Sequence, residues 1–243
     1  MNNNYMLSCR AAKKLYGTVK DLPIVDYHCH LSPKEIFLDK PFTNIGEIWL
    51  SGDHYKWRLM RCAGIDEEYI TGRASIKEKF IKYCSAVEFA AGNPLYHWSH
   101  MELSEFFDID LPINSENAEE IWNRANSYIA GTEMSPRKLI EKSRVEIICT
   151  TDDITDDLSW HKRIADDKSF NTRVLPSFRT DNLMLIRREG YSDYISKLSE
   201  VSGIEITNLE TLKCAVSARL DYFCNMGCRC TDIGIPHFPS RIA

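Results

Sequence analysis

The 243-residue sequence predicts an α/β fold built on a parallel sheet and interrupted by one long helical segment. Helical patterns separate the later strands, and this alternation favours parallel pairing with right-handed crossovers. A mostly helical stretch of about a hundred residues follows the first strand. The four predicted strands are 24–31, 145–150, 173–178 and 228–235.

The first predicted strand, 24–31 (IVDYHCHL), ends in two histidines. Because side chains alternate along a strand, Asp26, His28 and His30 share one face. Two imidazoles two residues apart are able to bind one divalent cation from the same side. Pro33 is expected to end the strand, which puts the histidines at its C-terminal end, where (β/α)₈ barrel enzymes build active sites. The alternative is a pair of half-buried histidines bonded to backbone.

Helix signals delimit the remaining elements. Ser135 is suited to cap a helix that has Pro136 in its first turn. Asp152 and Asp153 are expected to cap the following helix rather than to bind metal. The helices predicted between the later strands are 158–165, 182–202 with a break at Gly190, and 209–226 with Gly227 as C-cap.

Residues 32–134 do not fit the strand–helix alternation, and we interpret them as a helical insertion after the first strand. Their many aromatic residues are interpreted as the core of that insertion rather than as a cofactor site. A closed barrel takes about 250 residues for eight βα units, and roughly 140 remain here without the insertion. We therefore predict one domain over 1–243, an incomplete (β/α)₈ barrel of about four βα units.

Composition narrows the class of protein. A net charge of −5 and a pI near 5.8, without any basic run, argue against nucleic-acid binding. No apolar stretch approaches the roughly 20 residues that span a bilayer, and the N-terminus carries no targeting signal. The nine scattered cysteines, including Cys224, Cys228 and Cys230, lack zinc-site spacing and are typical of a reducing compartment. These features predict a cytoplasmic protein.

Seven segments carry a family resemblance over almost the full length of the chain. On these segments the chain resembles the N-terminal half of a uronate isomerase (glucuronate isomerase), a family of the amidohydrolase superfamily whose members are about twice as long. The segments are AAKKLYG (11–17), LPIVDYHCHLSPKEI (22–36), IWLSGDHYKWRLMR (48–61), GNPLYHWSHMEL (92–103), CTTDD (149–153), LPSFRTD (175–181) and GCRCTDIGIP (227–236).

The resemblance implies a metal-dependent aldose–ketose isomerase of hexuronate catabolism. It implies interconversion of D-glucuronate with D-fructuronate, and of D-galacturonate with D-tagaturonate. By position, His28 and His30 match the family's metal-binding pair, and the implied cofactor is a divalent ion, Zn²⁺. The implied partners are a small uronate substrate and, at full length, further copies of the same chain. We expect residues 1–243 alone to be inactive.

The same resemblance assigns roles to four more residues. His54 and Tyr55 match residues that reach the substrate site, where a tyrosine hydroxyl can donate to a developing oxyanion. Arg179, expected in a loop after the third strand, matches a substrate-binding arginine that can pair with a carboxylate at two points. Asp232, expected at the end of the fourth strand, matches an active-site aspartate suited to proton transfer.

Each assignment has an alternative from sequence alone. His54 and Tyr55 also suit ordinary packing in aromatic-rich helices, Arg179 also suits a surface ion pair with Asp181, and Asp232 also suits a turn. The chain departs from the family at Thr180, where many relatives have proline, and at Ile233, where some have histidine. It has no counterpart of the aspartate ligand and second arginine that the family supplies from its last strands.

Two other function classes remain open. One is a different metal-dependent reaction on the same scaffold, namely hydrolysis of a lactone or an amide, in which the metal activates water. The other is a non-catalytic remnant whose helical insertion packs against a partner. His97 and His100, four residues apart, are interpreted as structural because no suitable carboxylate lies near them in sequence.

Overall fold

Residues 6–234 are described by a computed structural model, and the chain divides into two units. The sheet unit comprises Pro23–Asp39 and Ser143–Ala243, and the helical unit comprises Met1–Leu22 and Lys40–Lys142. The helical unit is therefore discontinuous in sequence. Its long segment begins and ends several residues later than the predicted insertion, 32–134.

The sheet unit contains a parallel sheet of four strands, which neighbour one another in chain order, so the described part of the chain is an α/β fold. Helices connect consecutive strands within it, as the alternation predicted. Its elements are β1 (Ile24–Asp26), α2 (Pro33–Leu38), β2 (Val145–Asp153), α9 (Ser159–Asp166), β3 (Arg173–Arg179), α10 (Asp181–Met184), α11 (Tyr191–Ser202), α12 (Leu209–Asn225) and β4 (Thr231–Asp232).

The strand register aligns three charged residues at the C-terminal edge of the sheet. Asp153 of β2 pairs with Arg179 of β3, and Arg179 pairs with Asp232 of β4. Each of these residues is the last of its strand. The ends of three parallel strands therefore meet in one row, which is the edge where open α/β sheets bind ligands.

Two predicted strands were too long. β1 stops at Asp26 rather than at residue 31, because its pairing with β2 ends at Asp26 and Ile148. One further backbone bond, from Cys29 N–H to the Cys149 carbonyl, continues past the strand. β4 covers only Thr231–Asp232 of the predicted 228–235, of which residue 235 lies outside the described part.

Pro33 begins a helix instead of ending a strand. It is the first residue of α2, where a proline is tolerated because that N–H has no partner in the helix. Ser32 caps this helix by accepting a hydrogen bond from Glu35 N–H. The helix packs on α9, with the rings of Phe37 and Trp160 5.5 Å apart. Residues 33–38 therefore belong to the sheet unit.

The later helices of the sheet unit follow the predicted pattern with one exception. α9 and α12 lie within one residue of their predicted bounds, and Gly227 follows α12 with a positive φ of 95°, as a C-cap glycine does. The predicted helix 182–202 is two helices, α10 and α11, separated by residues 185–190. The break at Gly190 is confirmed, but helical structure before it is limited to one turn.

The helical unit is built from amphipathic helices around one apolar core. Ser135 caps its last helix through a hydrogen bond from Lys138 N–H, as predicted. In the core, the hydroxyl groups of Tyr83 and Ser99 are hydrogen-bonded at 2.6 Å, and both residues are fully buried. The elements are α1 (Arg10–Val19), α3 (Ile45–Leu50), α4 (His54–Cys62), a 3₁₀ turn (Glu67–Tyr69), α5 (Ile76–Glu88), α6 (Pro94–Phe107), α7 (Ala118–Thr132) and α8 (Pro136–Lys142).

No helix between residues 6 and 234 is both long enough and apolar enough to cross a bilayer.

Candidate active site

The two predicted metal ligands, His28 and His30, lie together just beyond the end of β1. Their ring centroids are 5.0 Å apart and the rings are nearly perpendicular. His28 Nδ1 lies 3.4 Å from Asp232 Oδ2, and His30 Nδ1 lies 3.1 Å from Thr151 Oγ1. Neither Nε2 makes a hydrogen bond within residues 6–234. In both rings, the nitrogen with a polar side-chain contact is therefore Nδ1.

Arg179 joins two carboxylates at the C-terminal edge of the sheet. Its Nε donates to Asp181 Oδ2 at 2.6 Å and its Nη1 donates to Asp232 Oδ2 at 3.0 Å. Arg179 is the last residue of β3 rather than part of a loop, so that detail of the prediction was wrong. The ion pair with Asp181 exists, but the side chain is only 24% exposed and also binds Asp232.

Asp232 connects the arginine to the first histidine. Its Oδ2 atom faces both Arg179 Nη1 and His28 Nδ1, which brings together residues from β3, β4 and the segment after β1. Asp232 belongs to a strand in register with β3, so the alternative of a turn-forming residue was wrong. The structure thus brings four predicted site residues into one cluster within the sheet unit: His28, His30, Arg179 and Asp232.

Gly234 closes one side of this cluster. Its N–H donates to Asp181 Oδ1 at 2.6 Å. A Cβ at this position would lie 2.9 Å from Arg179 Nη2, so the guanidinium would have to shift, and 3.2 Å from Asp181 Oδ2, which is a tight contact. A glycine here therefore lets the backbone approach the ion pair directly. From the sequence alone, Gly234 only supported the alternative of a turn at Asp232.

Asp153 anchors the loops beside the cluster. Its carboxylate accepts hydrogen bonds from Thr155, from Asn182 Nδ2 at 2.8 Å and from the Tyr194 hydroxyl at 3.2 Å. Burial, followed by the nearby Asp153 charge, raises the pKa of Tyr194. Asp153 does not cap α9, so that prediction was wrong. Instead, hydrogen bonds to Asp153 connect α10 and α11 to the end of β2.

Asp152 lies on the other side of β2 and is buried beneath α9. Its Oδ2 accepts a hydrogen bond from Thr150 Oγ1 at 2.7 Å and one from Ser177 N–H. The same Thr150 hydroxyl lies 2.8 Å from His161 Nε2. Asp152 is therefore not a helix cap either. Residues 150, 152 and 161 form a polar cluster within the apolar layer between sheet and helix, which strand alternation alone did not reveal.

Burial shifts both ionisable groups of this cluster toward their neutral forms. It raises the pKa of Asp152 to about 6, against the lowering effect of its hydrogen bond from Thr150. It lowers the pKa of His161 to about 4. The two side chains approach to 3.6 Å, between His161 Nε2 and Asp152 Oδ2. Both pKa shifts favour the neutral form of the group. At mildly acidic pH the contact is therefore a polar contact rather than an ion pair.

His54 and Tyr55 lie in the helical unit, in the first turn of α4. Asp53 caps this helix by accepting hydrogen bonds from the N–H groups of Tyr55 and Lys56. His54 packs edge-on against Trp57, and Tyr55 is 67% exposed. Helix capping therefore fixes the local position of both residues. Their approach to the cluster of the sheet unit stays a prediction.

Lys56 is a buried cation that the sequence did not mark. Its Nζ lies 3.1 Å from Asp53 Oδ2 and 3.7 Å from Glu102 Oε2, and it stands over the Trp49 ring. Burial raises the pKa of Glu102 despite the nearby lysine. Burial also acts to raise the pKa of Asp53, but the charge of Lys56 and the hydrogen bonds from Lys56 and Tyr55 together outweigh it, and the pKa is lowered. The lysine thus links the start of α4 to α6.

His100 has a structural environment, as predicted. Its Nδ1 lies 2.6 Å from the Tyr96 carbonyl, and its Nε2 accepts a hydrogen bond from Ile113 N–H. Both ring nitrogens are thereby used by backbone groups, and burial lowers its pKa. This histidine ties α6 to the loop that follows it.

The sheet unit supplies part of a metal-binding set. His28 and His30 are of the right chemistry, and their Nδ1 contacts leave the Nε2 atoms for a cation. No group of three or more His, Cys, Asp or Glu side chains in residues 6–234 is arranged to hold a metal ion. The two histidines therefore fit a metal as two of its ligands.

Comparison with known proteins gives one consistent family. The sequence profile described as "Glucuronate isomerase" matches residues 1–241. The chain is 47% identical to the uronate isomerase of Endomicrobium trichonymphae over 243 residues, all of this chain and 51% of that protein. It is 50% identical to the uronate isomerase of Streptococcus uberis over 232 residues, 96% of this chain and 50% of that protein.

Solved structures agree with these relatives. The crystal structure of uronate isomerase from Thermotoga maritima matches with a TM-score of 0.90 at 38% identity, over 96% of this chain and 51% of that one. Glucuronate isomerase from Caulobacter crescentus matches with a TM-score of 0.84 at 23% identity, which supports the fold alone. The chain spans about half the length of the relatives that it matches.

Proposed function

The chain belongs to the glucuronate isomerase family, and from this membership we propose that it forms the first half of the catalytic barrel of a uronate isomerase. The strand order β1-β2-β3-β4, with helices between strands, corresponds to four consecutive βα units. A (β/α)₈ barrel of the metal-dependent amidohydrolase type needs eight such units. We propose that the remaining four come from residues that correspond to the second half of the relatives.

The proposed reaction is the interconversion of D-glucuronate and D-fructuronate, and of D-galacturonate and D-tagaturonate. This reaction moves a proton between C2 and C1 and needs polarised oxygens, a group for proton transfer and a cation for the substrate carboxylate. His28 and His30 would hold a divalent ion, for which we propose Zn²⁺. When bound, such an ion acts as a Lewis acid on the substrate oxygens.

Arg179 is the proposed binding group for the substrate. A guanidinium has five N–H donors, and the contacts with Asp181 and Asp232 account for two of them. The two carboxylates also fix the plane of the guanidinium, so the remaining donors are held in one direction. A planar, oriented arginine suits a carboxylate or a vicinal pair of hydroxyl oxygens.

Asp232 is the proposed group for proton transfer, and His54 and Tyr55 are proposed to act from the helical unit. Asp232 lies against both the substrate-binding arginine and the first metal ligand, so an acid–base group here would face the reacting carbons. Tyr55, at the capped start of α4, would donate to the oxygen on which negative charge develops.

One observation carries the proposal beyond the family match. Asp232 Oδ2 lies within 3.4 Å of His28 Nδ1 and 3.0 Å of Arg179 Nη1, so the proposed metal, substrate and proton-transfer groups form one cluster. The three residues come from distant parts of the sequence and meet at the C-terminal edge of a parallel sheet. Ligand sites in α/β folds lie at this edge.

The test is reconstitution of the barrel. Residues 1–243 are assayed for ketose formation from D-glucuronate and D-galacturonate, alone and co-expressed with the second half of the Endomicrobium trichonymphae relative. We expect turnover only with both halves and a divalent ion, and its loss in H28A and H30A. Hydrolysis of a lactone without isomerisation would identify a hydrolase instead. A stable two-half complex that binds metal and turns over none of these substrates would reject the proposal.

We further propose a cytoplasmic location and self-association of the completed barrel. The location is supported by the cysteines: all nine have free thiols in the structure, including the buried Cys84, Cys149 and Cys228. Mass determination of the reconstituted protein tests the self-association.

A further inference from the structure

Two adjacent threonines of β2 each contact a different histidine. Thr150 Oγ1 lies 2.8 Å from Nε2 of His161, on the helix side of the sheet. Thr151 Oγ1 lies 3.1 Å from Nδ1 of His30, in the candidate active site. Successive side chains of a strand point to opposite faces, which explains why the two threonines contact different histidines. Thr151 has no place in the function proposed so far, although it is the nearest polar partner of a proposed metal ligand.

The neighbouring histidine has a carboxylate beside the same ring nitrogen. His28 Nδ1 faces the Asp232 carboxylate at 3.4 Å, and an ionised carboxylate only accepts hydrogen bonds. The proton of the neutral His28 ring therefore belongs on Nδ1, and Nε2 keeps its lone pair. His30 packs edge-to-face on this ring at 5.0 Å. If one ion is held by both rings, His30 must also have a lone pair on Nε2, the nitrogen that faces away from Thr151.

We propose that Thr151 is a positioning residue that accepts a hydrogen bond from His30 Nδ1–H and thereby leaves Nε2 as the metal-binding atom. The hydroxyl oxygen has two lone pairs and its proton rotates away from the ring, so Thr151 is able to accept from a ring N–H. The Asp232 carboxylate, 3.4 Å from His28 Nδ1, favours a proton on that nitrogen of the neutral His28 ring. A carboxylate and a hydroxyl, from two different strands, then set one tautomer in both histidines.

This arrangement has a consequence for metal affinity, and in that respect it rests on the proposed function. A histidine ligand binds a cation through an unprotonated nitrogen, and the group on its other nitrogen fixes both the tautomer and the ring orientation. Without the Thr151 hydroxyl, His30 would divide between two tautomers and rotate about its side-chain bonds. Only part of the population would then match the geometry that the ion requires.

The tautomers are measured directly by long-range ¹H–¹⁵N correlation spectra of histidine-labelled residues 1–243, without metal and at alkaline pH. We expect a protonated Nδ1 and an unprotonated Nε2 in both His28 and His30. T151V removes the hydroxyl at nearly constant shape and should produce a tautomer mixture at His30 alone. T151S keeps the hydroxyl and should restore the wild-type pattern. T150V, one residue away, should alter His161 and leave His30 unchanged.

Zn²⁺ titration against a chromophoric chelator gives the second readout. Loss of a group that orients a metal-binding histidine lowers affinity by about 10- to 100-fold, and we expect a loss in this range for T151V but not for T151S or T150V. A protonated Nε2 at His30 in the wild type, or unchanged spectra in T151V, would overturn the inference. Expected tautomers in a protein that does not bind Zn²⁺ would support the role of Thr151 and reject the proposed metal site.

Discussion

Arg179 and Asp232, the last residues of β3 and β4, form an ion pair of 3.0 Å across two neighbouring strands. Each side chain is 24% exposed, so the pair is accessible from the edge of the sheet but shielded on most sides. Asp181 holds the other side of the guanidinium at 2.6 Å. The two carboxylates therefore hold the guanidinium in one orientation, which is the condition that the proposed anion-binding role requires.

Replacement of Arg179 by lysine should impair catalysis in the reconstituted barrel. Lysine keeps the charge but cannot make the two fixed contacts with Asp181 and Asp232 while binding a third partner. We expect kcat/KM to fall on the order of 10²-fold or more. Arg61→Lys is the matched control, because Arg61 makes a similar two-point contact with the exposed Glu67 of the helical unit. Equal kinetics in both variants would make Arg179 a structural residue.

The stability of the protein should depend on the ionisation of Asp152. Its folded-state pKa of about 6 lies above the ordinary value of 3.8, so the folded form binds this proton more tightly than the unfolded form. The stabilisation is complete below about pH 3.8 and is lost as the pH rises through about 6, at a cost of about 3 kcal/mol. Asp152→Asn removes this dependence and keeps an acceptor for Thr150 and Ser177.

The measurement is urea unfolding of wild type and D152N between pH 4 and 7. We expect D152N to gain stability relative to wild type as the pH rises through this range. Asp157 provides a control of opposite sign, because hydrogen bonds from Ser159 lower its pKa. The D157N series extends below pH 3.8, the ordinary pKa of this carboxyl, and in that range D157N should lose stability relative to wild type as the pH rises.

Lys56 should contribute far more to stability than an exposed lysine. Its side chain is 8% exposed and faces both Asp53 and Glu102, so Lys56→Ala leaves two partly buried carboxylates without their cation. We expect a loss of about 3 kcal/mol in the free energy of unfolding. Lys77→Ala is the control, since Lys77 and Glu119 form an exposed pair that should contribute about 0.5 kcal/mol. Similar losses in the two variants would contradict the assigned role.

Residues 1–243, when produced alone, should self-associate through β1. Within the described residues this strand pairs only with β2, and Ile24, Val25 and Tyr27 are 48%, 55% and 76% exposed. An exposed apolar strand at the end of a sheet pairs readily with another chain. Sedimentation velocity should show concentration-dependent association, reduced by Val25→Lys. Val19→Lys, on an equally exposed helix residue, should leave it unchanged.

The sequence predicted the order of elements well because strand–helix alternation and cap residues are local signals. Ser135, Gly190 and Gly227 all act at element ends, as expected. The lengths of β1 and β4 were predicted poorly, because a strand continues only where a neighbouring strand is available to pair with it. The alternating pattern around His28 and His30 extends beyond the last paired residue of β1.

The candidate site, too, was predictable from the sequence only in part. The strand pattern selected His28 and His30, family resemblance selected Arg179 and Asp232, and the structure brings these four together. The role of Thr151 depends on a contact between residues that are far apart in sequence. The burial of Asp152 depends on which face of β2 the helix α9 covers. Neither property is encoded in local spacing, so neither was predictable.

The pairing of β1 with β2 also determines the order in which this chain is able to fold. Ile24 and Val145 pair although about 120 residues separate them, and most of those residues form the helical unit with its own core. Closing so long a flexible segment is slow, because the loss of chain entropy comes before any contact compensates it. Prior folding of the helices would shorten the effective loop. In pulsed hydrogen exchange, amides of α5 and α7 should therefore become protected before those of β1.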